Sequence, residues 1–431
     1  MARRSWIALA VAAGTLLAAC GGDDSGSGDT TPDTTPDTAP DSGAPSTDGP
    51  DASTPAGTTG AIDLDAVLGV DLADCAEPTG GPLKIGYAAD KSEAGGFADI
   101  PASAAAEFFV ELVNCAGGVD GAKVELIVED IQGDPEVTQR AAQDLIGQGV
   151  HGILGPPFAD FGQPLLQVTA GEVPVVFVAS TEPALADPGA LSYLASFDDT
   201  AQAEAAAQFA IDQGWTTAIT LSAPGPYFGY VPETFTAAFE ELGGTILGDY
   251  TYVPFEDTDF SAQANEISNL DETPQLLFTA APGFQVTALR AQLEALGVEL
   301  TYLGADAFEA TGLIAEGDAA NGMFYTTHAF AEPDNHLGRF LALYEEATGS
   351  PAENPSFAGL AADSIMVIAQ AFVDSGSTDP KVIGEAIANI SGLTTMTGTT
   401  TYAGTGGVPD KPVFIHQIVD GEVTLAATIE G

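Results

Sequence analysis

Four histidines and three cysteines are the side chains best suited to metal binding or nucleophilic chemistry, and their spacing speaks against both. His151, His328, His336 and His416 sit in unrelated contexts, without the short intervals that bring two imidazoles to one ion. His328 and His336 are the nearest pair, and their loop-flank setting predicts solvent-facing rings rather than metal ligands. The folded part has no G-x-S-x-G elbow, no H-E-x-x-H and no G-x-x-x-x-G-K-S/T phosphate loop. Gly404-Thr405-Gly406-Gly407 lacks the third glycine and the preceding strand of a dinucleotide fingerprint. Acidic residues number 62, so a close carboxylate pair is more simply a solvated face than an acid–base couple. Binding fits this inventory better than turnover, with no cofactor and no metal expected.

Residue types suited to holding a solute occur instead where apolar strands run into helices. In an open α/β sheet, ligands bind beyond the carboxyl ends of the strands, where helix N-termini offer unpaired N–H groups and positive potential. Two loops meet this condition early in the chain: "GPPFADFG" after "VHGIL", and "ASTEP" after "VPVVFV". In the second, Ser180 and Thr181 could equally cap the following helix.

Alternating elements must position these loops. From Leu83 onward, "LKIGYAA" is followed by a helix over 102–113 and "AKVELIVED" by "PEVTQRAAQDLIGQG". "VHGILG" precedes a helix near 162–170, and "VPVVFVA" one over 201–213. The rhythm continues through "TTAITLS", a helix over 232–242, "GTILGDYTYV", a helix over 260–270, "PQLLFTA", "FQVTALRAQLEALG" and "LTYLGAD". Continuous apolar strands separated by helices predict parallel sheets covered on both faces. The strands are too many for one sheet, so the fold class is α/β with two doubly wound, Rossmann-like lobes.

Local punctuation agrees with this reading. Asp134-Pro135 reads as a helix N-cap followed by a first-turn proline, with Gly147 and Gly149 closing that helix. The glycine-rich Asn114–Gly121 reads as a helix end and turn before an edge-forming strand. Toward the C-terminus the pattern breaks into "NHLGRFLALYEEATG", "FAGLAADSIMVIAQAFVDSG" and a third helix over 381–389. "GTTTYAG" and "KPVFIHQIVDGEVTLAA" then read as antiparallel, with "VDGE" as a hairpin turn. The expected division is 83–198 plus 329–397 for the first lobe and 199–328 plus 398–431 for the second, after a lead-in over 61–82.

Charge and the N-terminus place the molecule. With 10 basic residues against 62 acidic ones, the formal charge of -52 repels phosphate backbones and excludes nucleic acid as a partner. It also predicts lower stability at low ionic strength, where self-repulsion is least screened. Arg3 and Arg4 precede an apolar run from Trp6 to Leu17 that is too short to span a bilayer. Leu17-Ala18-Ala19-Cys20, followed by Gly21, resembles a bacterial lipobox, which implies a signal peptide over 1–19 and a lipid-modified Cys20. Two acyl chains hold a protein on a membrane where one does not. The Asp-, Thr-, Pro-, Gly- and Ser-rich stretch over 20–60 cannot offset its ordering entropy and reads as a disordered tether. Two cysteines remain, Cys75 and Cys115; an exported chain favours a disulfide over two buried free thiols, contributing roughly 3–4 kcal/mol in the chain-entropy model.

"LKIGYAAD" and "NCAGGVDGAKVELIVEDIQGDPEVTQRAAQDLIGQGVHGILGP" resemble the branched-chain amino-acid-binding proteins of bacterial ABC importers, the leucine/isoleucine/valine-binding or type I periplasmic-binding group. The resemblance continues through "VPVVFVASTEPAL", "GPYFGYVPETFTAAFEELGG", "FEDTDFSAQANEIS" and "LGADAF", covering nearly all of 83–427. It implies two lobes joined by three crossover segments, with the ligand between them. It also implies a backbone contact at Ala179 and a hydroxyl contact at Thr181 to an α-carboxylate or ammonium, with Ser180 between them. Tyr227 matches an aromatic that closes over the ligand, and Asp306 an acid that pairs with its ammonium, Glu309 taking that place if the register slips. Where the family commonly has a serine, this chain has Ala159, beside Phe158, which removes a hydroxyl from the carboxylate site. Asp160 could cap the helix there, although its charge would oppose a carboxylate. Phe97 and Phe357 are expected to line an apolar side-chain pocket.

The expectation is therefore an extracytoplasmic, lipid-anchored, monomeric receptor that captures a small solute by hinge closure and delivers it to an ABC permease. Its contact with the membrane is through the lipid anchor only. Branched-chain or other apolar amino acids lead as cargo. Short amides, urea-like solutes and aromatic carboxylates follow, as does a sensory module with no transport role.

Overall fold

The computed structural model describes residues 60–430 except 77, 93 and 94. The signal segment over 1–19, the anchoring Cys20 and the tether as far as residue 59 lie outside the described residues.

A short helix, α1 (Leu64–Val67), is capped by the Asp63 side chain and buries Leu64 and Val67 against the first lobe. That lobe is built on β1 (Gly80–Ala89), β2 (Ala122–Asp130), β3 (Gly152–Gly155), β4 (Val175–Phe177) and β5 (Ser192–Leu194), all parallel in the order β2-β1-β3-β4-β5. β2 is the edge strand, as the glycine-rich approach to it suggests. Between the strands run α2 (Gly96–Cys115), α3 (Pro135–Gly147) and α4 (Ala159–Thr169). The two-residue strand period divides the core: Leu154, Val176 and Tyr193 face α2, while Ile153, Val175 and Leu194 face α3 and α4. Asp134 caps α3 through its side chain with Pro135 in the first turn, and Gly149 takes the left-handed conformation just past its end.

α2 begins six residues earlier than the spacing predicts, because Pro101 is accommodated inside it. A proline there has no N–H for the carbonyl of Phe97 one turn back. That carbonyl instead accepts a 2.7 Å hydrogen bond from the Asn354 side chain. Cys75 and Cys115 are joined by a disulfide that ties the lead-in to the last residue of α2.

The second lobe carries β6 (Thr217–Ser222), β7 (Thr245–Thr251), β8 (Leu276–Thr279), β9 (Thr301–Gly304) and β10 (Phe324–Thr327) in parallel. Its helices are α5 (Asp199–Asp212), α6 (Tyr230–Glu241), α7 (Ser261–Ser268), α8 (Gly283–Ala295) and the single turn α9 (Ala307–Ala310). The chain then returns to the first lobe as α10 (His336–Thr348), α11 (Pro355–Ser375) and α12 (Pro380–Ile387). α11 is apolar and long enough to cross a bilayer, yet 83% of its most apolar window is buried, and it serves as the central helix of the first-lobe core.

A small hairpin, β11 (Leu393–Thr395) and β12 (Gly398–Thr400), precedes β13 (Val413–Val419) and β14 (Glu422–Ile429), which finish the second sheet in antiparallel fashion. The β13–β14 turn places Asp420 and Gly421 at φ 52° and 81°, as a two-residue primed turn requires. The strand order of the second sheet is β14-β13-β10-β9-β8-β6-β7.

Three passages thus join the sheets: after β5, after β10, and between β12 and β13. The third lies beyond β12, since a boundary between 397 and 398 would separate β12 from its partner β11. Along it, the buried Lys411 ammonium donates at 2.7 Å to Asp363 of α11 and at 2.8 Å to Thr397. Asp363 also accepts from the Thr395 hydroxyl and the Met396 N–H, so both of its oxygens are satisfied.

Candidate ligand-binding cleft

The carboxyl ends of both sheets face one another across a cavity of about 350 Å³. First-lobe loops after β3 and β4 supply Phe158, Ala159, Ala179, Ser180 and Thr181, and the start of α2 supplies Phe97. Second-lobe loops after β6 and β9 bring Tyr227 and Asp306, and α11 brings Phe357. All nine ligand-site residues singled out in the sequence therefore line one cleft.

The floor is a hydrogen-bonded chain of polar groups running from one lobe to the other. Thr181 donates its hydroxyl proton to Asp199 Oδ1 at 2.6 Å, and the Asp199 N–H donates to the Thr181 carbonyl at 2.8 Å. Asp199 begins α5, where Asp198 serves as the N-cap. Gln202, one turn on, donates to Asp199 Oδ1 at 2.7 Å. Its carbonyl oxygen accepts from the Asp306 N–H at 3.3 Å and the Thr326 hydroxyl at 3.0 Å. Tyr227 donates to Asp306 Oδ1 at 2.5 Å and accepts from the Ala307 N–H. His328 Nε2 lies 3.2 Å from Asp306 Oδ2, which fixes the ring proton on that nitrogen as the donor. Its Nδ1 meets the Ser196 hydroxyl at 3.0 Å, and its ring stacks on Phe197 at 4.4 Å.

Asp199 Oδ2 has no hydrogen-bond partner among the described residues, although the residue is fully buried. Burial holds its carboxyl well above the usual carboxylate range; the Thr181 hydrogen bond opposes this, and the negative charge of Asp306 adds to the rise.

Above the floor the cleft is aromatic. Phe97 lies 5.9 Å from Phe158 within the first lobe and 6.2 Å from Phe255 across the opening. Phe255 in turn lies 6.0 Å from Phe228, which meets Tyr227 at 5.2 Å. Phe255 sits at φ 63°, a left-handed conformation that a bulky side chain adopts only under constraint. The constraint is the buried Gln285, which accepts from the Phe255 N–H and donates to the carbonyls of Val253 and Asp257.

Several residues depart from their expected roles. His328, expected to face solvent, is 1% exposed and supports Asp306 from below, because the second passage between lobes carries it through the centre of the molecule. Asp160 does not cap α4; Phe158 occupies that position without a side-chain bond, and Asp160 follows exposed in the first turn. Glu309 is turned toward the start of α11, where it bonds the N–H and hydroxyl of Ser356 and the hydroxyl of Thr327. Asp199, Gln202, Phe228 and Phe255 escaped the sequence reading. The "FDDTAQ" stretch looks like ordinary helix capping, and nothing in a loop phenylalanine announces its direction.

The family model described as periplasmic binding protein matches residues 82–422. The Leu/Ile/Val-binding protein BraC3 of Rhizobium johnstonii is 26% identical over 328 residues, 74% of this chain and 87% of that one. Among solved structures, a leucine binding protein LivK from Thermotoga maritima superposes with a TM-score of 0.70 at 23% identity, covering 81% of this chain and 99% of that chain. A solute binding protein of an ABC transporter from R. palustris, in complex with benzoate, gives a TM-score of 0.68 at 18% identity, covering 81% and 97%. Together with the two facing α/β lobes and the cleft between them, the match across residues 82–422 establishes that the chain belongs to the periplasmic binding protein family.

Proposed function

We propose that this protein is an extracytoplasmic receptor that captures a small amino-acid-like solute between its lobes and presents it to an ABC permease, without altering it. The observation that carries this reading is the cleft itself: about 350 Å³ of space with a polar floor contributed by both lobes and apolar walls above it. A ligand touching Thr181 on one side and Asp306 on the other binds the closed form more strongly than the open one, and so shifts the population toward closure. Apolar amino acids are the leading cargo, in keeping with the named ligands of the Rhizobium relative. Cys20 anchors the receptor through lipid, and the segment over 20–60 spaces it from the membrane.

A thermal-shift screen of the full chain against amino acids, short amides, urea-like solutes and aromatic acids tests the reading, because a bound ligand raises apparent stability by mass action. The expected result is a concentration-dependent rise for a subset of apolar amino acids, together with scattering-detected compaction. No shift across the whole screen, or chemical conversion of a bound ligand, overturns it.

A further inference from the structure

The groups at the cleft floor define the head group of the ligand. Asp199 is fully buried, lines the cleft, and has no partner for Oδ2 among the described residues. An unpaired buried polar oxygen is rare, because removing it from water is costly unless another donor replaces the lost bonds. The Thr181 hydroxyl gives its single proton to Asp199 Oδ1, so toward the cleft it can only accept. In its ionised form Asp199 presents Oδ2 as an acceptor, and together with the Thr181 hydroxyl it can take several N–H bonds, as an ammonium supplies.

The remaining lining agrees in sign. Asp160, Glu182, Asp199 and Asp306 line the cleft, and no described Lys, Arg or His does. A carboxylate is poorly served: residue 159 at the start of α4 is an alanine with no hydroxyl, and Asp160 in the first turn offsets the positive helix end. Phe97, Phe158, Phe228 and Phe255 provide aromatic surfaces, which attract cations as well as apolar groups.

We propose that the cleft selects primary amines carrying a bulky apolar, preferably aromatic, body, and that the α-carboxylate of an amino acid adds little to their binding. This rests on the solute-capture reading above and narrows its ligand class. Calorimetric titration of the full chain with L-phenylalanine, L-phenylalaninamide, phenethylamine and 3-phenylpropanoate varies the head group on one side chain. L-Leucine and L-leucinamide repeat the comparison on a branched one. The amides and the amine are expected within about tenfold of the corresponding amino acid, and phenylpropanoate is expected not to bind. Asp199→Asn is expected to weaken phenethylamine by roughly tenfold or more, as loss of a charge-assisted bond should.

Amides and amine weaker than the amino acid by more than about tenfold, or binding of phenylpropanoate, overturn the ammonium assignment while leaving solute capture intact. Unchanged amine affinity in a folded Asp199→Asn chain also overturns it. The head-group series on the unmodified chain decides the matter even where the variant is unstable. No binding by any of these compounds overturns the proposal too, and solute capture then stands or falls on the broader screen.

Discussion

At the floor of the cleft, Thr181 and Asp199 join the two lobes through hydrogen bonds made by buried groups. At its mouth, Phe97 and Phe255 bring the lobes together through ring contact alone, and Phe255 is 46% exposed. The floor has directional requirements, with Asp199 Oδ2 left for a ligand to satisfy; the mouth asks only for apolar volume. On the proposed reading, the floor fixes the head of a ligand and the mouth its size. Changes to the first should abolish binding, whereas changes to the second should retune it.

The largest effect is expected at Asp306. Asp306→Ala removes the acceptor of both Tyr227 and His328, leaving two donors unpaired, one of them on a ring that is 1% exposed. Affinity should fall by roughly tenfold or more, and stability by about 1–3 kcal/mol. Calorimetry and chemical denaturation measure the two, and unchanged values would remove Asp306 from the floor.

Next comes pH. Asp199 keeps its proton above the usual carboxylate range in the empty cleft, whereas an ammonium ligand requires the ionised form. Affinity should therefore rise as pH increases, with protons released on binding, until Asp199 is ionised without ligand. The charged and titratable groups facing Asp199 are Asp306 from the β9–α9 junction, Glu182 from the loop after β4, and Tyr227 from the loop after β6, with His328 behind Asp306. Titrations of phenethylamine in buffers of differing ionisation enthalpy count the protons. A dependence that survives Asp199→Asn unchanged would place the titrating group elsewhere.

At the mouth, Phe255→Gly should move stability and binding in opposite directions. Relief of the left-handed conformation contributes about 1 kcal/mol, offset in part by glycine's entropy in the unfolded chain. Affinity for aromatic ligands should fall a few-fold while that for small amines stays level. A parallel change for both ligand sizes would mean that Phe255 does not sense size. The smallest effect concerns the whole surface: the melting temperature should drop modestly as salt is removed, because the charge of -52 is then least screened. A flat profile from low to moderate salt would show that this repulsion is already accommodated.

Much of this organisation is legible in the residues. Apolar runs such as "VHGILG" and "PQLLFTA" alternate with helices because parallel strands must be buried on both faces, and both runs appear as strands of the two sheets. The Asp134-Pro135 cap and the "VDGE" turn follow from local backbone chemistry alone. β5 and β10 were not legible. With three and four residues they are too short to display a period, and their pairing is decided by neighbours distant in sequence. The start of α2 was hidden by Pro101, whose compensating partner Asn354 lies 257 residues from Phe97. The cleft loops were visible from their positions after strands, yet the roles of Asp199 and His328 were not. Both act through side chains that meet only when the passages between lobes are brought together.

The Lys411–Asp363 pair has a mechanical corollary. Its ammonium fastens the last connecting strand to the first lobe as far as residue 411, and β13 claims the chain for the second lobe at Val413. Pro412 alone stands between them, and its ring locks one of its own two backbone torsions. Any swing of the lobes must at this point be taken up by very few rotatable bonds. The axis of opening is thus set by the chain itself, and every cargo should ride the same arc.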